Sequence, residues 1–298
     1  MGAALSACLG GAGAGRGGRP PAAKQRAGRW GATGVCSLRG EGRRELPAEA
    51  GPPVAGRLRV LDAGENRLRD LPEWAAGGLP RLQRLSLDRN LLVTLPRDCR
   101  WGALRTLLLA HNEITALDLS AGAWAALGRL EVLDLSHNAL VSLPPEAAEL
   151  PALRELRVSH NALVALPEAL GDRAPALREL DVRNNEIEVL PRSFGTGGGD
   201  DASPSTSPAP PLRTLLADGN RLQDLPPRLF VRFESLHQIS LHGNPNLKAA
   251  AVEQMEGFAA YEERRRGRVN KGLAGGALLG PGGFDEGLDR ELLGERRQ

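Results

Sequence analysis

Leu82-Gln83-Arg84-Leu85-Ser86-Leu87-Asp88-Arg89-Asn90-Leu91-Leu92-Val93-Thr94-Leu95-Pro96 carries its apolar residues in two rhythms. Leu85 and Leu87 alternate with Arg84, Ser86 and Asp88, a period of two that puts both leucines on one face of a short strand. Leu92 and Leu95 come after an asparagine, and Pro96 then prevents a continuous helix. The same slots recur as Leu130, Leu133, Leu135, Asn138, Leu140, Leu143 and Pro144. The asparagine series runs Asn66, Asn90, Asn112, Asn138, Asn161, Asn185, Asn220 and Asn244, at successive intervals of 24, 22, 26, 23, 24, 35 and 24 residues. A single such unit cannot bury its own leucines, so the units must stack on one another.

Each slot has a physical task. Stacked about 4.8 Å apart, eight Leu-x-Leu strands make a parallel ladder roughly 34 Å long, and their outward rows form an open concave surface. The asparagine amide can satisfy backbone groups of neighbouring turns that would otherwise be buried without partners. Leu-Pro then sends the chain into a loop or short helix on the convex side. An amphipathic helix would also space leucines at three and four. It is excluded because six of the eight units close on proline and each sets an asparagine inside the stripe. The pattern resembles that of leucine-rich repeats, so the expected fold class is α/β: a leucine-rich-repeat solenoid with a curved parallel sheet on its concave face and loops and short helices on its convex face.

Composition sets the boundaries. The 298 residues are 41% apolar but only 3% aromatic, so leucine has to fill the core. The 37 glycines and 22 prolines crowd the ends and one internal stretch. The expected organisation is a flexible basic arm over residues 1–32, a solenoid of N-terminal cap plus eight repeats over 33–248, a capping helix over 249–271 and a flexible tail over 272–298. A disordered insert, 195–211, enlarges the interval of 35 residues. Its Ser203-Pro204 and Ser207-Pro208 have the form of proline-directed phosphorylation sites, although such dipeptides are common in loops. In the N-terminal cap Cys36 and Leu38 take the inward slots, Glu41 replaces the asparagine and Arg43 the next leucine. At the exit Val252, Met255, Phe258 and Tyr261 fall at threefold spacing between Ala249 and Arg266, as in a helix covering the last repeat, with Gly257 weakening it.

These caps carry a more specific resemblance. The Met-Gly start, Thr33-Gly34-Val35 and Glu256-Gly257-Phe258-Ala259-Ala260-Tyr261-Glu262-Glu263-Arg264 resemble the small intracellular leucine-rich-repeat proteins of the leucine-rich repeat-containing protein 57 type, over about residues 24 to 271. The resemblance implies a cytoplasmic or membrane-associated interaction protein without enzymatic activity. The chain departs from the type in its longer glycine-rich arm, the insert after Pro191 and the tail beyond Gly272.

Three cysteines, Cys8, Cys36 and Cys99, are too few for a disulfide framework, and no Asn-x-Ser/Thr occurs, which favours a reducing, intracellular compartment. No secretory signal or membrane span is expected either. Gly2 with Ser6 fits Met-Gly-x-x-x-Ser, the N-myristoylation pattern, and Cys8 stands where a palmitate could be added. One acyl chain binds membranes only marginally, so a second chain or the basic stretch Arg16 to Arg29 would be needed for stable anchoring at the cytosolic face. The same acid-free arm also reads as an organellar transit peptide.

With 38 basic and 36 acidic residues the net charge of +2 gives no reason to expect nucleic acid. None of the common catalytic motifs occurs, so no enzyme and no cofactor is expected. His111, His137 and His160 share the slot before the asparagine and could stack about 5 Å apart. That slot faces solvent and no carboxylate or thiolate completes a site, so no metal is expected. The partner-binding residues are placed on the concave face, at Arg154, Glu155 and Arg157 beside Arg178, Glu179, Asp181 and Arg183. Leu108 and Leu216 are apolar members of the same outward row. The function expected is a monomeric protein-protein interaction scaffold or adaptor, lipid-anchored at a membrane. The alternative is a soluble regulatory or targeting subunit of a phosphatase, small GTPase pathway or ubiquitin ligase.

Overall fold

A computed structural model of the chain describes residues 23–52, 54–195 and 209–274. Nine strands of three residues each, β1 (Val35–Ser37), β2 (Val60–Asp62), β3 (Arg84–Ser86), β4 (Thr106–Leu108), β5 (Val132–Asp134), β6 (Glu155–Arg157), β7 (Glu179–Asp181), β8 (Thr214–Leu216) and β9 (Gln238–Ser240), pair in parallel in chain order as one sheet. Their middle residues, among them Leu85, Leu107, Leu133 and Leu156, lie in register and are buried. This is the α/β solenoid that the Leu-x-Leu period requires, one strand longer because the cap's Cys36 pairs with Leu61 as a full rung.

The asparagine row holds the turns together. The Asn138 Nδ2 group donates to the carbonyls of Leu109 (3.0 Å), one repeat back, and Leu135 (2.9 Å), while its Oδ1 accepts the Ile114 N–H (3.0 Å). Asn66, Asn90, Asn112, Asn161, Asn185, Asn220 and Asn244 repeat the arrangement. Glu41 contributes no amide, and the first turn is closed from the next repeat, where Asn66 accepts the Arg43 N–H and donates to the Leu38 carbonyl.

On the convex side one helical turn is all that fits before the next strand: α2 (Glu73–Gly77), α3 (Ala121–Ala126), α4 (Leu170–Arg173) and α5 (Leu229–Arg232), with 3-10 turns in other repeats. The repeat at Leu117-Asp118 has no proline and starts its helix with a side-chain cap instead, Ser120 Oγ accepting the Ala123 N–H at 3.2 Å. Between α4 and α5 runs a nearly buried ion pair, Arg232 to Asp172, in which Arg232 also donates to the Gly171 carbonyl at 3.2 Å.

The ends depart from the expected boundaries. Residues 23–32, assigned to the flexible arm, belong to a helix, α1 (Ala23–Thr33), preceding β1. Trp30 buries against the cap, and Arg26 pairs with Glu49 (3.3 Å) and Glu41 (3.5 Å). Arg26 therefore spends its charge on the fold. At the other end the cap is two helices, α6 (Ala249–Glu253) and α7 (Phe258–Ala274), split at Gly257, whose φ is +82°. A Cβ there would lie 2.9 Å from Val231 Cγ2 and 3.0 Å from its backbone nitrogen, so glycine is required for the turn and for the close approach. Tyr261 then plugs the last repeat, its hydroxyl accepting the Ile239 N–H at 3.2 Å and its ring lying 5.1 Å from Phe230. The insert expected at 195–211 also has packed ends: Gly195 and Pro210 are buried, and a Cβ on Gly195 would meet Pro226 at 2.9 Å. Ser203, Ser207, Gly2, Ser6, Cys8 and the tail beyond 274 lie outside the described residues.

Candidate functional site

Strand alternation fixes what the concave face displays. The first strand residues make one outward row, which includes Val132, Glu155 and Glu179. The third residues make another, running Ser86, Leu108, Asp134, Arg157, Asp181 and Leu216 in register. Leu108 and Leu216 are half-buried within that row.

The charged residues of β6 and β7 are brought together, and most are engaged with one another. Arg157 pairs with Glu155 at 2.7 Å and reaches Glu179 at 4.0 Å, across the strand pair. Arg154 pairs with Glu131 of the preceding repeat at 3.1 Å. Arg183 folds back on Asp181 at 2.8 Å. Asp181, expected to face out, is only 9% exposed; one carboxylate oxygen accepts the backbone N–H of Arg183, so it acts as the brace of Arg183 and is not an open contact. The patch therefore offers Arg154, Glu155, Arg157, Arg178, Glu179 and Arg183, with Asp181 beneath.

A second charged cluster escaped the sequence reading because its members are scattered over fifty positions. Arg39, from the cap, reaches Asp88 (2.6 Å), Glu65 (2.9 Å) and Asp62 (3.4 Å), tying the cap to two repeats. Burial of Asp88 opposes ionisation, but the hydrogen bonds and charge of Arg39 outweigh it and hold the carboxyl below the usual carboxylate range.

The slot before each asparagine is left-handed. Glu65, Arg89, His111, His137, His160 and Asn184 have φ of 53° to 56°, and Gly219 and Gly243 complete the row. This conformation bars β-branched side chains, and histidine and asparagine are among the side chains that tolerate it best. The three imidazoles stack with centroids 4.1 and 4.0 Å apart and planes 11° from parallel, closer than the strand spacing suggested. The Asn184 amide closes the row, 3.1 Å from His160 Nε2. A side chain at Gly219 would put its Cβ 2.5 Å from Asn184 Oδ1, which is why the row ends there. Parallel rings aim their lone pairs alongside one another, and no cluster of three or more His, Cys, Asp or Glu suited to a metal ion occurs among the described residues. Cys36 and Cys99 are buried, and loss of hydration pushes their thiols up to about 12 and 11, far from thiolate reactivity.

Comparison with known proteins agrees with this architecture. A family model described as Leucine rich repeat matches residues 56–114 and 102–163, and a second of the same description matches 176–196. A stretch of 102 residues is 43% identical to podocan-like protein 1 of Mus musculus, covering 33% of this chain and 17% of that protein. Among solved structures, an LRR protein of Leptospira interrogans superposes with TM-score 0.54 at 24% identity, over 71% of this chain and 58% of its own. A chain of the LRIM1/APL1C complex gives TM-score 0.56 at 24% identity, over 70% and 35%. This chain thus spans less than two thirds of each relative's own length, and at such identity the structural matches speak for the fold alone. The sequence matches establish that its middle is built of leucine-rich repeats, a unit that generally serves protein-protein interaction.

Proposed function

We propose that this leucine-rich-repeat solenoid is a non-catalytic scaffold or adaptor that binds another protein through its concave face as a monomer. The observation that carries the reading is a nine-stranded parallel sheet whose outward charged side chains are densest on β6 and β7. A fixed, twisted array of short strands with braced arginines presents charge at low entropic cost, which favours selective recognition over nonspecific adhesion. Occurrence of a like fold in the LRIM1/APL1C complex is consistent with a protein partner. The test is affinity capture from cells with the full chain against Arg157→Glu combined with Arg183→Glu. Both side chains are about two-fifths exposed, so the pair should fold and lose the partner; folded protein with undiminished capture would move the surface elsewhere.

Kinship to the leucine-rich repeat-containing protein 57 type and attachment to the cytosolic face of a membrane through acylated Gly2 and Cys8 belong to the same proposal. Because Arg26 is engaged by Glu49 and Glu41, the arm's electrostatic contribution is smaller than its sequence suggests, and the proposed anchoring rests more on acyl chains. No helix among the described residues is long and apolar enough to cross a membrane. Gly2→Ala should shift the protein to the soluble fraction, and mass spectrometry of the mature terminus should find myristate. An unmodified terminus with unchanged fractionation would favour a soluble targeting subunit, and cleavage near residue 30 an organellar address.

A further inference from the structure

The residues immediately before the strands form a row of their own. Each donates its backbone N–H to its counterpart one repeat back: Gln83 to Arg59, Arg105 to Gln83, Glu131 to Arg105, Arg154 to Glu131, Arg178 to Arg154 and Arg213 to Arg178, all at 2.8 Å. Neighbouring rungs therefore sit one strand spacing apart, about 4.8 Å. Of the seven that precede β2 to β8, five are arginine and one is glutamate, and all five arginines are exposed; Gly34 and His237 end the row. Glu131 is shared between Arg105 and Arg154, so it leaves the rest of the row uncompensated. Arg178 and Arg213 have neither an ion pair nor a side-chain hydrogen bond among the described residues. The row of third strand residues on the other side of the face is mixed: Asp62 is paired with Arg39, Arg157 stands between Asp134 and Asp181, and Asp181 lies beneath Arg183. Uncompensated positive charge therefore lies along one margin of the face.

We propose that the arginine margin is a docking strip for an extended acidic segment of a partner protein, lying across the strands with carboxylates against Arg178 and Arg213; this rests on the reading that the concave face binds protein. Arginine is the suited residue, because its planar fork engages a carboxylate through two hydrogen bonds and it is more weakly hydrated than an ammonium group. The single-file arrangement suits a single extended chain, whose side chains can alternate between the margin and solvent. A nucleic-acid backbone is the poorer fit. It is negative along its whole length and would meet Glu155 and Glu179, which stand one residue beyond Arg154 and Arg178.

The test uses the full chain, fluorescence anisotropy and three probes: a short labelled peptide alternating glutamate and valine, its lysine counterpart, and a single-stranded oligothymidine. The glutamate peptide should bind, with a salt-dependent affinity, and the lysine peptide should not. Arg178→Glu combined with Arg213→Glu should weaken the glutamate peptide at least about tenfold, since both side chains would then repel it. The same reversal at Arg97 and Arg100, exposed on a returning loop, should change it little. Equal losses from the two double variants, no binding of the glutamate peptide, or preference for the oligonucleotide would each overturn the proposal. Should it fail while Arg157→Glu with Arg183→Glu still abolishes capture of a cellular partner, the concave face remains the binding surface and only the acidic partner is wrong. Should neither change matter to that capture, the broader reading fails with it.

Discussion

Replacing Asn138 by alanine removes one rung of the internal ladder, and the cost can be worked group by group. The Ile114 N–H loses its acceptor at 3.0 Å. The three carbonyls fare better: Leu109 keeps the Asn112 amide at 2.9 Å, Leu135 keeps the Asn161 amide at 3.0 Å and Ser136 keeps the His111 N–H at 2.9 Å. One orphaned donor costs about 1–3 kcal/mol, and three supplementary bonds to groups still partnered add less. The expected loss is about 2–4 kcal/mol, read by urea denaturation of the full chain with the slope of the transition monitored for loss of two-state behaviour. Asn246 is exposed outside the row, and its replacement by alanine should be silent. A loss under about 0.5 kcal/mol at Asn138, the range of ordinary surface changes, would refute the view that the amide row satisfies the turns.

Three further outcomes follow from the same geometry. Gly257→Ala, forced into positive φ and against Val231, should destabilise by roughly 1–3 kcal/mol and loosen α7, seen as faster amide exchange there; unchanged exchange would mean the turn can relax. Asp172→Ala leaves Arg232 without its carboxylate in a nearly buried site and should cost about 3 kcal/mol in the same denaturation assay, whereas a neutral result would show that water replaces the pair. Loss of hydration, then His160 and His111, hold the His137 pKa below the ordinary histidine value. The unfolded chain, protonating at about 6.5, then binds more protons in the window beneath, so this contribution to stability is present above about pH 6.5 and fades as pH falls through the folded midpoint. An NMR titration should give His137 a midpoint below about 6.5 that rises in His160→Gln, and an unmoved midpoint would dissociate it from the stack.

What the sequence made legible was whatever repeats with a fixed period. Leu85 and Leu87, Asn90 and Pro96 recur at set offsets because strand, turn and return each demand one residue type, so the sheet, its inward face and the amide ladder could be read directly. The left-handed slot was harder. Glu65, Arg89, three histidines and an asparagine share no chemistry that names a backbone angle, although Gly219 and Gly243 in the same slot were a usable signal. Gly257 was seen as a weakened helix, because its close neighbours, Val231 and Phe230, come from the previous repeat and are invisible to local spacing. Helix α1 was hidden by glycines at 28 and 31 in a basic stretch, and only Trp30 hinted that it packs. In the candidate site alternation indicated that Glu155, Arg157 and Glu179 stand off the inward face. It did not indicate the pairings of the charged residues, since Asp181 is turned under Arg183 by a local backbone hydrogen bond that strand periodicity does not encode. The arginine row went unread for a related reason: its members sit one residue ahead of the strands, at intervals that vary with each repeat's length.

The concave face, and no other, is proposed to take the partner. A photoreactive benzoylphenylalanine placed singly at Leu108, Leu216 or, for comparison, Arg97 in the full chain tests this most directly, because the first two stand in the outward strand row and the third on a returning loop. Irradiation in cells should give a discrete protein adduct from Leu108 or Leu216 and none from Arg97; adducts from Arg97 with none from the strand row would contradict it.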